Sequence, residues 1–185
     1  MKALMRPFAV VALPFAFAAC GTLPASAPEA PTTKPADIPA SIAAPSGSTL
    51  AVTLKGAGLQ NYECRVKADG AGGYDWVFVA PEAVLRNPDG VLVGKHYAGP
   101  SWEYGDGSKV TGKVLATAPA PRAGNLPWLL LQGTAAAAPG TLAGVTYVQR
   151  ANTAGGTAPS DPCSASMIGT KKAVRYSADY LFYKS

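Results

Sequence analysis

The residues best suited to chemistry lie in GKHYAGPSWEYGDGS, residues 94–108. This run holds the chain's one histidine, His96, with Tyr97, Trp102, Glu103 and Asp106 close by. A metal centre needs three or four ligands. His96 would have to recruit Glu63, Glu103 and Asp106, and three carboxylates with one imidazole is an uncommon set, so no metal is expected. A serine triad could be drawn from Ser101 or Ser108 with His96 and Asp106, but no nucleophile elbow accompanies them. Glu63 and Glu103 have the composition of a glycosidase pair, whose work depends on a definite separation across a cleft. No residue is assigned a catalytic role on these patterns, and no cofactor is expected.

Two readings of the run stay open. In one it is a structural corner. Gly94, Gly99, Pro100 and Gly105 shape tight bends, Trp102 and Tyr104 pack on a sheet, and His96 and Glu103 hydrogen-bond Arg150 or turn backbone. In the other it is a binding site. His96, Tyr97 and Trp102 line a pocket, and Glu103, Asp106 and Arg150 orient a polar ligand. Aromatic faces beside carboxylates suit sugars or cationic groups.

The elements that must hold these residues read as strands. STLAVTLK (48–55) alternates apolar and polar positions, and LQNYECRV (59–66) puts Tyr62, Cys64 and Val66 on one face. YDWVFVA is apolar on both faces. VLVGKHY follows the turn signal NPDG, and SWEY and SKVTGKVLA flank GDG, a hairpin signal. LPWLLLQG, GVTYVQRAN and AVRYSADYLFYK complete the set. Residues 81–86, PEAVLR, are the one segment that could form a short helical turn. Trp76, Trp128 and the aromatics of YSADYLFY are expected in the core or sheet packing. The predicted fold is all-β, one antiparallel sandwich or barrel with at most one short helical turn.

The two ends of the sequence differ from its middle. Residues 1–19 carry Lys2 and Arg6, an apolar run from Pro7 to Phe17 and then small residues, the pattern of a secretory signal too short to span a bilayer. Cys20 directly after Ala18 and Ala19 resembles the lipid-accepting cysteine of bacterial lipoproteins, though Phe17 stands where leucine is usual. An ordinary cut nearby, after Ala27, is the competing reading. With Gly21 rather than Asp, the expected location is the outer membrane, attached by lipid and facing the periplasm or the surface. Residues 20–47, rich in Ala and Pro, read as a disordered spacer that would reach about 80 Å if extended at roughly 3.1 Å per residue. Residues 48–185 are the expected domain.

The charge is +5 over 185 residues; without Lys2 and Arg6 it rests on 14 basic and 11 acidic residues. No basic stripe interleaved with aromatics appears, so nucleic acid is not an expected partner. Removal of the leader leaves Cys64 and Cys163 as an even pair beyond Cys20, and an oxidising compartment favours a bridge between them.

NYEC (61–64), PEA (81–83), GKHYAGPSWE (94–103), DGS (106–108), LPWLLLQ (126–132), VQRANTAGG (148–156), Cys163 and YSADYLFY (176–183) together resemble the domain-of-unknown-function 3455 family of exported bacterial and fungal proteins. The resemblance spans about residues 48–185 and implies export, with no established activity. Some fungal relatives carry a malate dehydrogenase label. GAGLQN and GAGGYD lack the Gly-x-Gly-x-x-Gly spacing and a βαβ setting, so the label finds no support here. The first functional expectation is a non-catalytic envelope domain that binds a small molecule, a glycan or a protein. A hydrolase of envelope or extracellular polymer and a purely structural module are the alternatives.

If Cys20 carries the lipid, Cys20→Ser abolishes lipid labelling and moves the protein from the membrane to the soluble fraction. Unchanged partitioning sinks the anchor.

Overall fold

The computed structural model describes residues 37–68 and 72–185. The expected leader, Cys20 and the spacer up to residue 36 lie outside the described residues. Eight strands follow in order: β1 (Thr49–Val66), β2 (Tyr74–Arg86), β3 (Leu92–Tyr97), β4 (Ser101–Tyr104), β5 (Lys109–Ala118), β6 (Trp128–Ala135), β7 (Val145–Gly155) and β8 (Lys171–Lys184). Each pairs antiparallel with its neighbours, and β8 returns to pair with β1. The all-β expectation therefore holds, in its barrel form: a closed, eight-stranded, up-and-down barrel.

Local chemistry sets the hairpins. At NPDG the Gly90 N–H donates to the Asn87 carbonyl and Gly90 takes φ 80°, which side chains oppose. At GDG the Gly107 N–H donates to the Tyr104 carbonyl with φ 85°. The two segments 48–55 and 59–66, by contrast, form one continuous strand. Gly56 and Gly58 between them make room rather than a turn. A Cβ on Gly56 would come within 2.5 Å of the Tyr180 ring, and one on Gly58 would strike the Glu82 carbonyl oxygen.

Two expectations are corrected. PEAVLR is the second half of β2, not a helical turn: Pro81, Ala83 and Leu85 are buried and Glu82, Val84 and Arg86 exposed. That period of two matches the ladders to β1 and β3, which override the helical preference of Glu, Ala and Leu. The helical turns lie at Ala40–Ile42 and Ala165–Met167. The end of the presumed spacer is also packed rather than solvated. Ile42 is fully buried, and with Ile38 it covers Ala118, Trp128, Leu130, Ala151 and Leu181 on the outside of the barrel. The buried Gln149 amide fixes this segment by donating to the Ile42 carbonyl at 2.6 Å. The cover explains why β6 is apolar on both faces. Trp128 and Leu130 meet Ile42 outside, while Leu129 and Leu131 point inward.

The strands' connections alternate between the barrel's two ends. At the end carrying the β2–β3, β4–β5 and β6–β7 connections, the interior is filled by Leu54, Leu85, Val110, Leu142, Val145 and Phe182. Across the barrel's waist Trp102 stands edge-on to Tyr180 (5.4 Å between ring centres) and Phe182 (5.9 Å). Such pairs add about 0.5–1.5 kcal/mol each beyond their burial. Gly112 makes space for that indole: a Cβ there would lie 2.9 Å from it.

At the other end, the long β7–β8 connection folds back over β1 and β2. Gly169 N–H donates to the Cys64 carbonyl, Cys64 N–H donates to the Thr170 carbonyl, and the Trp76 indole donates to the Asp161 carbonyl at 2.8 Å. The expected Cys64–Cys163 disulfide is present, closing a separation of 99 residues.

Replacing both cysteines by serine is expected to cost about 4.7 kcal/mol, the chain-entropy value for a loop of about 100 residues. Chemical denaturation of oxidised wild type and double variant measures it. Coincident midpoints would show that the staple constrains nothing.

Candidate functional site

The half of the barrel that side chains do not fill is a cavity of about 400 Å³. That volume falls within the range of about 300–1,000 Å³ usual for small-molecule sites. Its floor is the aromatic layer of His96, Trp102 and Tyr180. Its walls are Gln60 and Tyr62 of β1, Leu129 and Leu131 of β6, and Arg150 of β7. Gly99 and Pro100 of the β3–β4 turn, and Leu126 and Pro127 before β6, border it. Phe78, Val79 and Val114, each about half exposed, form an apolar rim. The cavity exists at this end because β3 and β4 are short, and because the residues facing inward here meet a bend in the sheet. Register shifts at Asn61/Tyr62 and Val114/Ala116 mark that bend.

His96 sits on β3 opposite Trp102 of β4, its ring stacked on the indole at 4.6 Å and 11°. Its Nδ1 lies 2.8 Å from the Ser101 carbonyl, an acceptor only, so Nδ1 carries the proton and Nε2 is a bare acceptor. Burial, with a smaller push from the Arg150 charge, takes its pKa down to about 4, so His96 is neutral at physiological pH. The Trp102 indole N–H, fully buried, has no hydrogen-bond partner among the described residues.

Arg150 shares the inward face of β7 with Val148 and pairs with Tyr180 across the ladder. Its Nε and Nη2 both donate to the Pro127 carbonyl, at 3.2 and 2.8 Å, which holds the β5–β6 connection against the barrel. Burial lowers its pKa below the usual guanidinium value, yet Arg stays charged. Tyr176 and Tyr180 share a hydrogen bond at 3.2 Å, and Tyr62 donates to the Gly156 carbonyl at 2.6 Å. Burial pushes all three phenols up in pKa, so they face the guanidinium as neutral dipoles.

Of the six candidates, the structure brings His96, Trp102 and Arg150 together and separates the other three. Tyr97 and Glu103 face outward, since their neighbours along each strand face in. Tyr97 donates to Glu103 at 2.8 Å, and Lys95 pairs with Glu103 at 3.0 Å. Asp106 is a clamp. Its carboxylate accepts Ser108 N–H (2.8 Å), Ser108 hydroxyl (2.6 Å), Thr141 N–H (2.7 Å) and Thr141 hydroxyl (2.8 Å). It so joins the β4–β5 turn to the β6–β7 connection, and the fully buried Ser108 accepts the Leu142 N–H in turn. The hydrolytic sets are therefore not assembled: His96 hydrogen-bonds a backbone carbonyl, and Ser108 belongs to the clamp. Glu63 pairs with Arg65 on β1, apart from Glu103 on β4. Among the described residues no three His, Cys, Asp or Glu side chains gather as a metal centre requires.

Gln60, Tyr62, Leu129, Leu131 and Tyr180 complete the cavity and were not among the candidates. One signal was present: Gln60 and Arg150 are polar residues at inward positions of otherwise apolar strand faces. The motifs quoted above supply Tyr62, His96, Trp102, Leu129, Arg150 and Tyr180 to this wall. A model of the family described as "Protein of unknown function (DUF3455)" matches residues 45–184. The chain belongs to that family. No curated protein and no solved structure matches this DUF3455 chain.

Asp106 titrates well below its usual value because the Ser108 hydroxyl and the two N–H groups favour its charge. A depressed folded pKa gives stability that is whole above the unfolded value of about 3.9 and is lost as pH falls below it. Asp106→Asn is thus expected to lower the melting temperature at neutral pH, with the gap from wild type narrowing in acid. A gap that is absent at neutral pH, or that widens in acid, contradicts the clamp.

Proposed function

We propose that this DUF3455 chain is a non-catalytic binding domain whose barrel holds a small, largely apolar molecule. The observation that carries the reading is the cavity, walled mainly by aromatic and aliphatic side chains with a few polar groups at its inner end. A purely structural module gains nothing from such a space. Its barrel could be filled by larger side chains, as the opposite end is. Hydrolysis is less well supported, since the carboxylates it would use and the Ser108 hydroxyl are committed to partners on the outer face and in the clamp. The site's polarity also redirects the ligand class. Glu103 and Asp106 do not reach the cavity, so the groups that would favour a cation are missing from it. The leader and Cys20 support an exported lipoprotein of the outer membrane, and the disulfide fits an oxidising compartment.

Leu129→Trp tests the cavity, because this side chain lines the space and is only partly buried. Wild type should enhance the fluorescence of an apolar dye and be stabilised by it. The variant should lose both effects and keep a wild-type circular dichroism spectrum. A folded variant that binds the dye as well as wild type places the dye elsewhere and removes the support.

A further inference from the structure

Among the described residues the cavity wall carries one fixed charge, Arg150, and no lining residue of opposite sign answers it. Among the described residues Arg150 makes no ion pair. Among the described residues both of its bonded nitrogens share a single carbonyl, and no hydrogen bond engages Nη1. The buried acid nearest along the ladder, Asp179, pairs with Ala151 and lies on the outer side of the sheet. There the Asn152 amide, in a bulge with φ 50°, donates to it at 2.7 Å. Arg150 is partly buried, and a charge drawn partly out of water gains from a partner, since a guanidinium cannot escape by losing its proton.

We propose that Arg150 anchors a carboxylate, so that the cavity's ligand is a monoanionic amphiphile with its head on the guanidinium and its body against Trp102, Leu129 and Leu131. This rests on reading the cavity as a binding site. Three features select the class. A planar carboxylate matches the guanidinium fork, which still has Nη1 free. One negative charge balances one positive charge: the surrounding phenols and His96 are neutral, so a dianionic phosphate would bring excess charge into an apolar space. The apolar walls and rim then require an apolar body, which sets the ligand apart from a sugar acid.

The test varies the head and keeps the body. Decanoate, decanol and decylammonium, and naphthoate, naphthylmethanol and naphthylmethylammonium, are titrated calorimetrically into the full chain at neutral pH. In at least one series the acid should bind about tenfold or more tighter than the alcohol, with the ammonium weakest, as a charge-assisted bidentate pair demands. Arg150→Met should erase that preference while keeping alcohol affinity within about threefold, as loss of a head contact alone predicts. Arg150→Lys should retain a reduced preference, having the charge without the fork. Equal affinity of acid and alcohol for wild type, tightest binding of the ammonium, or an undiminished preference in Arg150→Met overturns the anchor and leaves the binding domain standing. If no compound of either series binds, both readings fall. Should Arg150→Met not fold, by circular dichroism, the wild-type ranking alone decides.

Discussion

The antiparallel ladder between β1 and β8, running from Thr49 opposite Lys184 to Glu63 opposite Lys171, is the contact on which the rest depends. It closes the sheet and so removes the two free edges that an eight-stranded antiparallel sheet would otherwise present. Closure also creates an interior, and eight strands enclose a space only just wide enough for side chains to fill. Whether a given level of the barrel is solid or hollow then depends on small differences in side-chain size and strand length. Leucine, valine and phenylalanine fill one end. At the other, short β3 and β4 and the bulges in β1 and β5 leave the space open.

The aromatic layer at the waist separates these two regimes and sets the electrostatics above it. His96, stacked on Trp102, is kept neutral by burial and by its place near Arg150. Arg150 in turn is kept in place by Pro127, so the same side chain shapes the wall and charges the cavity. The carboxylates stand outside. Glu103 is matched by Lys95 and Tyr97 on the outer face, Asp106 by the turn groups at the solid end, and Asp179 by Asn152. Sorting acids outward and one guanidinium inward gives the interior a single sign of charge.

Fastening follows the same division. At the solid end a single carboxylate joins two connections, using donors that turns leave unpaired. At the hollow end, where packing is weakest, the β7–β8 connection is held by backbone hydrogen bonds and by the disulfide. The segment at residues 38–42 shields β6 and its neighbours from outside.

The sequence by itself determined the strand class, the hairpins at NPDG and GDG, the pairing of Cys64 with Cys163 and the burial of Trp76 and Trp128. Each follows from local period, turn chemistry or redox setting. It also pointed to His96, Trp102 and Arg150, because rare polar and aromatic groups stand out in apolar strands. Only the tertiary structure decided that Gly56 and Gly58 continue a strand, that PEAVLR pairs instead of coiling, and that Ile38 and Ile42 leave the spacer to cover β6. It alone separated Glu103 and Asp106 from His96, neighbours along the chain whose side chains part because successive residues of a strand face opposite sides. The closure of β8 on β1 brings Gln60 and Tyr62 to the same cavity as Arg150, and no local pattern carries that contact between distant segments.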